Sequence, residues 1–184
     1  MGVTRQIFAD YLAIRVTWGD ANANFVGDGI VLVMTGQEIQ TGSDTRSTST
    51  NNSTDCNSWG NPGNVVSNNG KYASCGPSLG AYSNLYSAYG FSVPANAKIL
   101  KVEILLDWFA NTSPDSVEVD IMTPGTPDTC GNAVSYSPPV GYNFPYRGSE
   151  GQDIADVTSQ RNWQPADFDN ANLRVMMIGF VGIV

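Results

Sequence analysis

The chain contains no histidine. That absence removes the commonest general base, the commonest zinc ligand and every Ser–His or Cys–His nucleophile pair. Hydrolytic readings shrink to carboxylate-only chemistry. Charge is scarce too, at 14% of 184 residues, against roughly 25% in an average soluble domain. The nine basic residues form no runs and the net charge is −8, which argues against a nucleic-acid groove. No stretch approaches the roughly 18 apolar residues of a membrane-crossing helix. Asp10, Arg15 and Asp20 interrupt every candidate core of a signal peptide. We therefore expect neither a nucleic-acid nor a membrane partner, and an extracellular protein numbered from its mature start or released by another route, such as virion assembly.

Cysteine is sparse as well. Cys56 and Cys75 bracket a Gly/Asn/Pro loop, and a bridge between them would close about 20 residues, for about 3 kcal/mol. The alternative is three buried free thiols. Cys130 is left over in either case, free or paired between subunits.

What remains is 41% hydrophobic and alternates as strands do. In Tyr11 to Trp18 one face carries Leu12, Ile14, Val16 and Trp18, the other Tyr11, Ala13, Arg15 and Thr17. Ile30 to Met34 reads as a buried strand after a Gly19–Gly29 loop. Residues 41–69 form a long polar loop rich in Ser, Thr and Asn. Lys98 to Trp108 places Leu100, Val102, Ile104, Leu106 and Trp108 on one face, and Ser116 to Ile121 alternates as cleanly. A second long loop runs from Pro124 to about Gly151, followed by a short strand at Asp153 to Val157. Trp163 to Phe168 is a turn, because the residue before Pro165 is biased out of the helical region. No 12-residue window has good helical periodicity. This is the pattern of an all-β antiparallel sandwich or jelly roll in a single domain. Its proposed parts are a strand segment, residues 1–20, and a body, residues 21–184.

Three groups of motifs carry a resemblance. They are Trp59-Gly60-Asn61-Pro62-Gly63-Asn64-Val65-Val66 with Gly70-Lys71-Tyr72-Ala73-Ser74, then Tyr89-Gly90-Phe91-Ser92-Val93-Pro94 leading to Ile99, then Asp156-Val157-Thr158-Ser159 with Trp163 to Phe168. In this order, over about Asn57 to Val184, they resemble a β-sandwich module of phage virion proteins and of bacterial and archaeal surface proteins. That module ends in an alternating strand. Here nothing follows Val184, and Ala9 to Trp18 matches that last strand instead. The resemblance therefore implies a permuted sandwich, or a strand lent to a neighbour. Residues 7–18 either fold back beside residues 173–184 or reach into the next subunit.

The functional expectation is a non-catalytic subunit of an extracellular filament or virion appendage, polymerising head to tail by strand donation. Phe8, Leu12, Ile14, Val16 and Trp18 form the donor strand, and Val175, Met177, Ile178, Phe180 and Val181 line the acceptor groove. A carbohydrate-binding or adhesion module is the alternative, because Tyr82, Tyr86 and Tyr89 flank one loop while Tyr136, Tyr142, Phe144 and Tyr146 crowd another. Glu103, Asp107, Glu118 and Asp120 are carboxylates placed outward on strands expected to be neighbours, solvated faces rather than a glycosidase pair. No cofactor is expected. If a metal binds, it is calcium, at Asp153 and Asp156 or Asp167 and Asp169. Glycosylation sequons stand at Asn51, Asn52 and Asn111.

Overall fold

A computed structural model of the chain describes residues 4–20, 25–26, 29–30, 42–47, 50–51, 59–122 and 140–182. Its strands, in chain order, are β1 (Ile7–Asp20), β2 (Phe25–Val26), β3 (Gly29–Ile30), β4 (Gly42–Ser47), β5 (Thr50–Asn51) and β6 (Ala73–Cys75). They continue as β7 (Gly80–Ser87), β8 (Ala97–Ala110), β9 (Ser116–Met122), β10 (Val140–Phe144), β11 (Gly151–Asp156) and β12 (Arg174–Val181). One sheet has the order β11-β8-β1-β4, with β6 also pairing β1, and the other has the order β10-β9-β12-β7-β5. All pairings are antiparallel. The fold is the all-β, two-sheet sandwich that the alternation implies.

The two 14-residue strands β1 and β8 form its spine. Their ladder runs from Ile7 opposite Ala110 to Asp20 opposite Ala97. The other edge of β1 is covered by β6 at Ile7 to Ala9, by a bridge from Tyr11 to Val66, and by β4 at Ala13 to Trp18. β1 is thus a central strand. Leu12, Ile14 and Val16 point inward with Val102, Ile104, Leu106 and Trp108, against Val117, Val119, Val175, Met177 and Val181 of the second sheet. Each of these side chains is fully buried, worth about 1.5–3 kcal/mol for the larger aliphatics.

The β1–β8 ladder is irregular at two places, between Ala9 and Tyr11 and between Thr17 and Trp18, where Leu100 of β8 is the extra residue. Ala9 faces Trp108 and Tyr11 faces Asp107, so Asp10 is an extra residue, a β-bulge. The bulge switches the inward face, which is why Ile7 and Ala9 join the core while Phe8 turns out. Asp10 itself is fully buried. Its carboxylate accepts the backbone N–H groups of Asn69, at 3.2 and 3.3 Å, and Gly70, at 2.9 Å. Gly70 adopts φ +73, a left-handed conformation that favours glycine. The bonds meet the requirement that a buried carboxylate be satisfied and fasten the turn after Pro62–Val65 onto β1.

A single glycine lets the second sheet close at its other end. A side chain at Gly179 would meet Cys75 Sγ at 2.5 Å and Trp59 Cζ2 at 2.9 Å. Trp59 occupies that space, and its Nε1 donates to the Tyr82 carbonyl at 2.9 Å.

Several expectations are corrected here. Residues 7–18 pair with β8, β4 and β6 of their own chain and not with 173–184, because β12 sits in the other sheet between β9 and β7. The polar stretch 41–69 is not a simple loop: it contains β4, β5 and the 3-10 turn Pro62–Val65. The strand expected at Ile30–Met34 shows only its first residue, Ile30 in β3, and 31–34 lie outside the described residues. Glu103 and Glu118 do not lie on neighbouring strands, since β8 and β9 belong to opposite sheets.

Candidate functional site

β1 positions the proposed donor residues unequally. Leu12, Ile14 and Val16 lie in the core, and Trp18 packs at its margin over the bare backbone of Gly42. Phe8 does not belong to this row. On the outer face it stacks on Phe109 (centroids 4.8 Å, 17°) and meets Tyr72 edge-on. The proposed acceptor row divides as a strand must: Val175, Met177 and Val181 face the core, while Ile178 and Phe180 point to the other side, half-buried. Since β9 and β7 flank β12 on both sides, no open groove exists beside it. The donor and acceptor rows meet, but face to face across one sandwich.

A clasp holds the segment ahead of β1. The Gln6 N–H donates to Asn111 Oδ1 at 2.8 Å, Asn111 Nδ2 donates to the Thr4 carbonyl at 2.6 Å, and the Asn111 N–H donates to the Gln6 carbonyl at 3.1 Å. Asp115, fully buried, accepts the Gly182 N–H at 2.7 Å and lies 3.5 Å from Arg5 Nη1. The turn between β8 and β9 thus ties together both ends of the described chain. The Asn111 sequon is exposed, but its amide is engaged at both atoms. The side chain of Asn51 and all of Asn52 lie outside the described residues.

The second feature is a cleft on the side of the sandwich. Edge strand β10 of one sheet leads through residues 145–150 to edge strand β11 of the other. At that crossing Tyr142, Phe144, Pro145, Tyr146, Arg147, Asp153 and Ile154 line a cleft of about 270 Å³. Arg147 Nη1 donates to Asp153 Oδ1 at 2.7 Å, and Trp108 Nε1 donates to Asp153 Oδ2 at 2.9 Å. Arg147 Nε donates to the Ser149 carbonyl at 2.8 Å. Gly151 provides the room that the guanidinium occupies, and a side chain at Gly148 would meet Tyr146 Oη at 2.7 Å. The aromatic pair in this group that the sequence singled out, Tyr142 and Tyr146, is brought together. Tyr136 lies outside the described residues. The other group behaves differently: Tyr86 and Tyr89 are core residues and Tyr82 is half-buried, its hydroxyl donating to Ser78. Arg147 and Asp153 escaped the sequence reading as a pair; a basic and an acidic residue six apart across a Gly-rich turn was their only signal.

The carboxylates are mostly engaged. Glu103 receives Arg15 Nε at 2.7 Å and Lys101 Nζ at 2.9 Å, and the hydrogen bond from Arg15 leads in holding it below the usual carboxylate range. Asp107 is pushed up by burial and by the nearby Glu150. Asp120 is pushed up to about 7, first by burial and then by Glu118, two positions along the same face of β9. Asp156 accepts from Thr158 and Asp167 from Arg161 and Gln164. With Asp153 also committed, three of the four proposed calcium ligands, Asp153, Asp156 and Asp167, accept from protein donors, and no group of three metal-ligating side chains occurs among the described residues.

Cys75 is a buried free thiol, the second of the two alternatives that its spacing from Cys56 leaves open. Burial raises its pKa, which makes it a poor nucleophile. Cys56 and Cys130 lie outside the described residues. Among the described residues, no helix is long and apolar enough to cross a membrane.

Comparison with protein-family models, curated proteins and solved structures finds no match for the chain. Its reading rests on its own residues.

Proposed function

We propose that this chain is a non-catalytic structural subunit of an extracellular filament or virion appendage, of the kind the resembled phage and surface modules suggest, and that copies join head to tail by exchanging β1. The observation that carries this reading is the position of β1. It occurs before every other described strand, yet it fills the slot between β8 on one side and β4 with β6 on the other. Lifting it out leaves β4 and β6 without the strand they pair with and opens a slot lined by Val102, Ile104, Leu106 and Trp108. The same strand from a second copy makes the same ladders and the same core contacts. Closed and exchanged forms then differ mainly in the segment after Asp20 and in concentration. The outer strands of the first sheet offer little competition. β4 presents Asp44 and Arg46, ion-paired at 2.7 Å, and β11 presents Asp153 and Asp156. Charges of this sort discourage edge-to-edge pairing.

A disulfide trap tests the exchange. Thr17 and Lys101 are cross-strand partners on the outer face of β1 and β8, so Thr17→Cys with Lys101→Cys should oxidise readily. Assembly by exchange yields a ladder of covalent multimers on a non-reducing gel, growing with protein concentration during oxidation. Cross-linked monomer alone, at every concentration, defeats the proposal. The cleft at Tyr142 and Tyr146 favours a second reading, a carbohydrate-binding or adhesion module.

A further inference from the structure

We infer that the cleft between β10 and β11 binds one neutral sugar ring of a glycan, an inference that rests on the adhesion reading and is independent of strand exchange. The described residues leave few large apolar side chains exposed: Leu79, Tyr142, Tyr146 and Ile154. Three of these four line this one cleft. Single exposed hydrophobics need no explanation, but convergence marks an interaction site. At about 270 Å³ the space is at the lower end of small-molecule sites, where drug-sized ligands occupy roughly 300–1,000 Å³. It suits one ring rather than an extended chain.

The wall chemistry selects the kind of ring. Tyr142 and Tyr146, each 42% exposed, offer flat apolar bodies with polar tips. Beside them stands a fixed donor–acceptor pair. Arg147 spends one N–H on Asp153 and one on Ser149, and a guanidinium has five. Each Asp153 oxygen accepts one hydrogen bond and keeps acceptor capacity for another. Two adjacent ring hydroxyls can donate to Asp153 and accept from Arg147 while the C–H face of the ring rests on tyrosine. Buried Trp108 and the ladder to β8 hold Asp153 in place, so little ordering is needed on binding. The charges of Arg147 and Asp153 cancel within the pair. A sialic acid, uronate or phosphate would bring a second anion against Asp153, with Glu150 in the same crossing. The site therefore favours an uncharged hexose or N-acetylhexosamine.

The test uses the full chain and saturation-transfer NMR with the methyl glycosides of glucose, galactose, mannose and N-acetylglucosamine, followed by an array of neutral and acidic glycans. At least one neutral glycoside should transfer saturation and move the ring signals of Tyr142 and Tyr146. Tyr146→Ala should weaken that binding at least tenfold without changing the unfolding midpoint, because the ring is exposed; Arg147→Met should do the same to affinity. Saturable neutral-sugar binding that survives Tyr146→Ala overturns this site while leaving an adhesion module intact. Silence from every glycan overturns both the site and the adhesion reading. Binding confined to acidic glycans overturns the assignment of a neutral ring.

Discussion

Glu103 on β8 and Asp120 on β9 are both strand carboxylates turned away from the core, one on each sheet, and their environments push them in opposite directions. Glu103 sits between Arg15 and Lys101 and is held in its charged form. Asp120 lies over Gly141 of the neighbouring strand, where a side chain would collide with its Oδ1. It has burial and a like-charged neighbour and no compensating cation among its influences, so it keeps its proton to about pH 7. Around Glu103 the outer face of the first sheet is thus ion-paired. That of the second is apolar around Leu85, Met122, Met176 and Ile178, with a carboxyl pair at its margin. The lesson is that a strand's outward positions do not share one dielectric. Whether a carboxylate stabilises depends on the cation opposite it.

Three substitutions break or sharpen the contrast. The largest effect belongs to Asp120→Asn. The folded chain retains a proton on Asp120 that the unfolded chain releases from about pH 4, so the contribution of Asp120 to stability is full in acid and declines as pH rises towards 7. The variant should lack this slope and exceed wild type at pH 8 by up to about 4 kcal/mol, read from urea unfolding at pH 4, 6 and 8. An unchanged slope would refute the raised pKa.

Arg15→Met comes next, with the opposite pH signature. Glu103 is depressed, so its contribution is present above the unfolded carboxylate range and is lost as pH falls through its folded value. The variant should lose about 2 kcal/mol at pH 7, less than a fully buried broken pair because Lys101 remains. The deficit should shrink as the pH is lowered from 7 to 3. A constant deficit at both pH values would mean that lost packing, not charge, is responsible.

Glu118→Gln is the mildest. It removes the like charge but not the burial, so the Asp120 midpoint followed by carboxyl carbon NMR should fall by about one unit, equivalent to about 1.4 kcal/mol. A midpoint that stays put would assign the whole effect to desolvation.

The long strands β1, β8 and β9 are legible in the sequence, whereas β4 and β5, inside the stretch 41–69 read as a loop, and β10, inside the stretch from Pro124 to about Gly151 read as a second loop, are not. Val102 to Trp108 and Val117 to Ile121 alternate without error, and Leu12, Ile14 and Val16 face inward as their spacing says. Leu100, expected on the same face, is skipped by the ladder between Thr17 and Trp18, and Ile99 packs against the core instead. Periodicity, however, reports which way a side chain points and not which strand lies alongside. Periodicity alone therefore does not tell that β1 pairs with β8 rather than with 173–184, or that Glu103 and Glu118 lie in opposite sheets. The outward turn of Phe8 is hidden for a related reason: a bulge is a property of two paired strands, invisible in either one alone. At the cleft, the crowding of Tyr142, Phe144 and Tyr146 was visible in the sequence. The Arg147–Asp153 pair needs the 145–150 crossing to fold before it exists.

The bulge at Asp10 gives β1 two phases, odd residues inward before it and even residues inward after it. The slot that receives this strand is therefore a keyed lock, matched to a shift of frame as well as to a row of apolar teeth. An intruding strand with perfect alternation could seat one half of the slot but would turn its wrong face to the other. Only a segment that changes phase at the same point, with a small acceptor to catch the Asn69–Gly70 turn, can engage both.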